Sequence, residues 1–219
     1  MSWEKEIEEL RERQELAKKM GGEEKIARHV NAGKLTVRDR IDKLLDTDSF
    51  HEVGSVTGKV SYDEQGNITE MQPANLITGR GKLGGRTVVV AGDDFTVRGG
   101  ANDAGIREKL THVEMIANEL QLPLVRLVDG TGGGGSVKTI ETEGRTYIPA
   151  VRGWEVVVDN LSTVPVVGLA LGSTAGLGAA RVAATHYSMM VKDTSQMFVA
   201  GPPVVARIGE ELDKNELGG

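Results

Sequence analysis

The sequence predicts an α/β fold built around a largely parallel sheet. Three observations carry that prediction. Short apolar runs recur from about residue 74 onward, they alternate with segments of helical periodicity, and small-residue turns stand at the ends of two of them. Strands that alternate with helices are joined by right-handed crossovers, which leave neighbouring strands parallel. With 219 residues and 39% hydrophobic content, the chain can bury one large domain with or without an appendage.

The elements follow in chain order. Residues 2–20 read as a charged helix with a thin apolar stripe of Trp3, Ile7, Leu10 and Ala17, suited to packing on something outside its own core. In GKLTVRDRIDKLLD, Thr36 is placed to cap a helix that lines up Val37, Ile41, Leu44 and Leu45. Residues 1–46 are therefore set apart as an outlying N-terminal helical arm, and residues 47–219 as the main domain. SYDEQGNITE is polar around a Gly-Asn turn and reads as a surface hairpin or loop. The runs ANLITG, RTVVVAG, PLVRLVD, VPVVGLAL, YSMMV and QMFVA read as buried strands.

Between the second and third runs, Ile106, Leu110, Val113, Ile116, Ala117 and Leu120 repeat at helical spacing. Asn102 or Asp103 caps that helix and Pro123 stops it. Ala150, Trp154, Val158 and Leu161 mark a further helix before the fourth run. No internal repeat and no low-complexity linker interrupts the pattern.

Composition removes several function classes. A net charge of −6 argues against a nucleic-acid surface, and the absence of cysteine excludes disulfides and thiolate metal sites. No apolar run approaches the ~18 residues of a membrane span, and the charged start is unlike a signal peptide. The expected location is the cytoplasm, or a mitochondrial matrix after transit-peptide removal. His29, His51, His112 and His186 are scattered without metal-ligand spacing, so no metal is expected.

The two small-residue turns carry the functional reading. LVDGTGGGG leaves the strand at 124–129, and GSTAGLGAAR leaves the strand at 164–171 and enters a short helix at 177–184. Ligands of parallel sheets gather at the carboxyl ends of strands. Glycines there let backbone N–H groups face a ligand, and a helix start adds partial positive charge. Such donors hold phosphate or stabilise a thioester oxyanion, an effect of roughly 3–4 kcal/mol per donor. A phosphate loop fits poorly, because Val137 occupies the place of the glycine before Lys138 and Thr139. Tight strand–helix packing alone is the other reading of these glycines. Asp129 reads as a loop cap, Glu141 and Glu143 as solvated loop residues, and His186 as a packed or hydrogen-bonded side chain. Arg145, Arg152 and Arg181 read as solvated or ion-paired surface residues.

Taken in order, GKLTVRDRIDKLLD, DDFTVRGGANDAGIREKL, the glycine turn, GSTAGLGAARVA, VKDTSQMFVAGPPVV and GEELDKNELGG resemble the β-subunit carboxyltransferases of biotin-dependent acyl-CoA carboxylases. The resemblance spans nearly the whole chain and implies the crotonase-like (ClpP/crotonase) α/β fold. It also implies binding of an acyl-CoA, with carboxyl transfer from carboxybiotin to the α-carbon through an enolate. The biotin ureido nitrogen would take the α-proton. In the first turn, Gly132 matches the family's second glycine and Gly133 the small residue after it, while Thr131 replaces the first glycine and Gly134 an arginine. In the second turn, Gly176 and Leu177 match the family's paired amides and are the expected oxyanion donors. Gly132, Gly133, Gly134 and Ala175 are expected to line the substrate.

The family's polypeptide is more than twice as long, so this chain is expected to be an isolated N-terminal domain, a split subunit or a trimmed one. The implied partners are a C-terminal carboxyltransferase half, a biotin carboxylase and a biotin carrier, in a homo- or hetero-oligomer. Biotin would arrive on a partner, since the chain contains no Met-Lys dipeptide. A biotin-dependent acyl-CoA decarboxylase subunit and a non-catalytic acyl-CoA-binding module are the alternatives.

Overall fold

The structure, a computed structural model, describes residues 2–101, 107–130, 144 and 153–219. Three helices open the chain: α1 (Glu4–Lys18), α2 (Glu23–Asn31) and α3 (Val37–Leu44). Strands β1 (His51–Val53), β2 (Gly58–Tyr62), β3 (Ile68–Pro73), β4 (Leu76–Leu83) and β5 (Arg86–Asp93) follow. Then come α4 (Arg107–Glu119), β6 (Leu124–Val128), α5 (Trp154–Thr163), β7 (Val166–Ala170), β8 (Ser173–Ala175) and α6 (Leu177–Ala183). The chain continues through β9 (Tyr187–Met190), β10 (Gln196–Phe198), α7 (Pro202–Val205) and α8 (Lys214–Gly218).

The main sheet has the order β1-β4-β5-β6-β7-β9. Strands β5, β6, β7 and β9 run parallel, as the alternating pattern requires, while β4 and β1 join antiparallel at one side. Two small pairs stand apart: the expected hairpin β2–β3, and parallel β8–β10. All five residues of β6 are buried, the mark of a parallel strand covered on both faces. Successive side chains alternate between those faces. Val125 and Leu127 join Ile77, Val88, Val90, the α3 residues Val37 and Ile41, and Leu45 just after that helix. Leu124 joins Val89, Ala91, Val166 and the α4 residues Val113 and Ala117.

Of the residue 1–46 arm, α3 belongs to this core instead of lying outside it, because its apolar stripe fills the sheet face across β4, β5 and β6. Its start is fixed by a capping box in which the Thr36 hydroxyl accepts from the Asp39 N–H and the Asp39 carboxylate accepts from the Thr36 N–H. Thr36→Ala should remove about 1 kcal/mol of stability. A urea midpoint unchanged within error would contradict the cap assignment. Helix α1 buries only Ala17 of its stripe, and Trp3 remains 67% exposed.

Two apolar segments depart from the expected burial. The α5 face is turned, so that Val157 and Asn160 are buried and Val158 is 62% exposed. The physical reason is Asn160, whose amide donates to the Glu114 carbonyl oxygen and carboxylate on α4, at 3.1 and 3.0 Å. The apolar run YSMMV forms the edge strand β9, with all four of its residues exposed. Among the described residues, no helix is long and apolar enough to cross a membrane.

Candidate active site

The parallel strands β5, β6 and β7 deliver Asp93, Asp129 and Leu171 to one end of the sheet. There the two turns approach each other backbone to backbone. A Cβ on Gly178 would sit 2.7 Å from the Gly130 carbonyl oxygen, and one on Gly130 would sit 3.0 Å from the Gly100 carbonyl oxygen. These glycines are therefore required by packing, whatever else they do. The Ala175 N–H donates to the Gly130 carbonyl at 3.2 Å and ties the second turn to the start of the first.

Gly176 turns the chain into α6 with φ 55° and ψ −122°, a conformation open to glycine and strained for other residues. Its N–H donates to the carbonyls of Phe198 and Val199, both at 3.1 Å, so this amide is committed to β10. The first intrahelical bond of α6 runs from the Ala180 N–H to the Gly176 carbonyl at 3.0 Å. The Leu177 N–H precedes that bond and meets no acceptor among the described residues. Of the expected pair, Leu177 has the open donor and Gly176 shapes the turn. Gly132, Gly133 and Gly134 lie outside the described residues, as do Asn102, Asp103, Glu141, Glu143, Arg145 and Arg152.

Beneath the turns runs a buried chain of charges; sequence reasoning placed Asp129 and Arg181 elsewhere and gave no role to Arg40 or Asp93. Asp129 is fully buried, not a loop cap, and its Oδ2 accepts from Arg40 Nη2 at 2.7 Å. The same Arg40 nitrogen donates to the Leu171 carbonyl at 3.1 Å. The Asp129 N–H donates to Asp93 Oδ2 at 3.2 Å, and Arg181 Nη1 donates to Asp93 Oδ1 at 3.1 Å. Arg181 is thus ion-paired but buried, not a surface residue. From α2, His29 sets its Nε2 at 3.1 Å from the Leu35 carbonyl and 3.9 Å from Asp129 Oδ2. His186 is satisfied by backbone: its Nδ1 accepts from the Val166 N–H at 3.0 Å, which leaves Nε2 to donate to the Leu161 carbonyl at 2.9 Å. Among the described residues, no three His, Asp or Glu side chains group to hold a metal ion.

Two ionisable groups near this end are shifted. Burial raises the Asp94 carboxyl, against opposing hydrogen bonds from Thr96. Burial also lowers the Lys109 ammonium to about 8, although Glu52 nearby favours its charge. Its Nζ donates to the Gly54 carbonyl at 2.9 Å. Between about pH 8 and its ordinary 10.5, the folded chain holds fewer protons at Lys109 than the unfolded chain. Stability should therefore rise with pH across that window from this group, and Lys109→Met should flatten the rise. Parallel pH profiles of the unfolding midpoint for both proteins would contradict the shift.

A family profile described as the carboxyl transferase domain matches residues 28–219. The chain belongs to the carboxyl transferase domain family. Among its relatives, the carboxyltransferase subunit of propionyl-CoA carboxylase from Haloferax mediterranei is 35% identical, with 100% of this chain and 42% of the relative covered. The methylmalonyl-CoA decarboxylase subunit alpha of Veillonella parvula is 30% identical, with 97% of this chain and 41% of the relative covered. A crystal structure of transcarboxylase 12S, with methylmalonyl-coenzyme A and methylmalonic acid bound, superposes with a TM-score of 0.76 at 28% identity. It is matched over 100% of this chain and 42% of its own. This carboxyl transferase domain therefore has the crotonase-like fold that the resemblance implied, and it spans about two fifths of the relatives' length.

Proposed function

We propose that the chain is the acyl-CoA-binding half of a biotin-dependent carboxyltransferase. The observation that carries this reading is the open Leu177 N–H at the start of α6, beside the turn that leaves β6, in a chain of the carboxyl transferase domain family. An acyl thioester must lose an α-proton before its α-carbon can take up a carboxyl group, and the resulting enolate places negative charge on the thioester oxygen. A fixed backbone donor facing that oxygen favours the enolate over the neutral thioester. Leu177 supplies the donor, Gly176 supplies the turn that aims it, and Ala175 with Gly132, Gly133 and Gly134 lines the acyl group.

Biotin, carried by a partner, supplies the carboxyl group when bound; no residue of this chain is assigned to hold it. A C-terminal carboxyltransferase half, a biotin carboxylase and a biotin carrier complete the proposed cytoplasmic complex. The exposed side chains of Trp3, Val199 and Ile208 fit a chain that is covered by such partners or by further copies. We keep residues 1–46 as a proposed arm, with α3 as its anchor in the core. Decarboxylation is the second reading, favoured by the Veillonella parvula relative, and it would use the same enolate in the reverse direction.

The test is to reconstitute the chain with its C-terminal partner and carboxylated biotin carrier, and to measure carboxyl transfer to a panel of acyl-CoAs. Transfer that requires this chain is the expected result. Acyl-CoA binding without transfer in either direction would identify a binding module and overturn the enzymatic reading.

A further inference from the structure

We propose that Arg181 is the clamp for the carboxylate of a carboxylated acyl-CoA thioester, the species on the product side of the transfer. The proposal rests on the acyl-CoA reading given above. Arg181 is 6% exposed at its side chain and uses Nη1 to hold Asp93. Its Nε and Nη2 are buried and have no hydrogen-bond partner among the described residues. Those two nitrogens form one edge of the guanidinium plane, the edge that receives both oxygens of a single carboxylate.

The neighbouring Arg126 shows that edge filled: its Nε and Nη2 hold the two Glu114 oxygens, each at 2.8 Å. Its Nη1 donates to the Arg181 carbonyl at 3.0 Å, so the two arginines are fixed relative to each other. One fork is closed by a protein carboxylate and the other is open. Buried donors in native proteins rarely remain without partners, and an open, charged fork is selective for a planar anion.

The position agrees with the chemistry. Arg181 stands four residues after Leu177 on α6, one helical turn along the same side of the helix. Its partner Asp93 ends β5 and accepts the N–H of Asp129, where the first turn begins. The open fork therefore belongs to the same strand ends as the proposed thioester site. A carboxylate carried on the α-carbon of the acyl group is the anion that this arrangement brings there. The adjacent Asp93 carboxylate holds the guanidinium in plane from its other side.

The test compares the affinities of methylmalonyl-CoA and propionyl-CoA for the full chain by calorimetry, in the native protein and in Arg181→Gln. The native protein should favour methylmalonyl-CoA by about tenfold or more, as a charge-assisted bidentate contact requires. Arg181→Gln should bring the ratio close to one. Arg181→Lys keeps the charge without the fork, should give an intermediate ratio, and serves if the glutamine variant does not fold. A ratio near one in the native protein, or the same ratio in all three proteins, overturns the clamp and leaves the acyl-CoA reading standing. Failure of both thioesters to bind overturns the acyl-CoA reading itself. Free methylmalonate then tests the fork alone: thermal stabilisation lost in Arg181→Gln supports it, and stabilisation that is absent or survives the substitution overturns it.

Discussion

Arg126→Met is expected to destabilise the fold by about 3–5 kcal/mol, because it leaves the buried Glu114 carboxylate without its cation. Both side chains are essentially inaccessible, at 0% and 1% exposure. Arg126 lies in the middle of β6, and the two Glu114 oxygens bring α4 onto the sheet. Its Nη1 also donates to the carbonyls of Arg181 and Ala184, at 3.0 and 2.7 Å, which satisfies the end of α6. One guanidinium thus ties β6, α4 and α6 together. Replacing the pair jointly, as Arg126→Met with Glu114→Leu, should recover only part of the loss. The Arg181 and Ala184 carbonyls would still lack their donor, and the Asn160 amide would lose the carboxylate it holds at 3.0 Å. Urea unfolding of the three proteins checks this. A loss below about 1 kcal/mol in the single variant would show that the pair contributes no more than a surface bridge.

Leu177→Pro is expected to lower carboxyl transfer by about 100- to 1000-fold, the effect of removing one oxyanion donor. Leu177 is the first residue of α6, and proline is well accommodated there because the N–H at that position has no acceptor within the helix. The substitution therefore removes the proposed donor while leaving the helix able to form. Leu177→Ala keeps the N–H and should change the rate far less. The loss should fall on kcat more than on KM, since the contact strengthens only as charge develops on the oxygen. Gly176→Pro is a poorer probe, because it would break the link to Phe198 and Val199 and oppose the positive φ of that residue. Equal losses in Leu177→Pro and Leu177→Ala would remove the donor role from this amide.

Much of the fold was legible because periodicity reports burial. The strand and helix segments of the main sheet sit where their apolar spacing puts them, and Thr36 caps α3 as its place before Val37 implies. Periodicity misleads where a polar residue belongs to the core or an apolar one does not. Asn160 is buried by its bonds to Glu114, so the α5 face turns toward it and away from Val158. β9 is apolar yet exposed because it is the edge of the sheet, and edge position is a property of strand order.

The candidate site was legible to a lesser degree. The two turns were visible as side-chain-poor stretches at strand ends, but which amide is open depends on β10, twenty residues further along the chain, engaging Gly176. The ionic chain joins residues far apart in sequence, with Arg40 and Asp129 separated by 89 positions and Asp93 and Arg181 by 88. No local pattern announces such pairs. The one available signal was a charge where an apolar strand should have none: Arg126 within PLVRLVD, and the aspartates that close RTVVVAGDD.

The most direct measurement is a crystal structure of the chain with propionyl-CoA bound. The expected result is a thioester oxygen about 2.7–3.1 Å from the Leu177 nitrogen, with the acyl group between the turns that follow β6 and β7. A thioester seated in the groove between α4 and α5 lined by Met115, Glu119 and Asp159, or an oxygen with no contact to the Leu177 N–H, would contradict it.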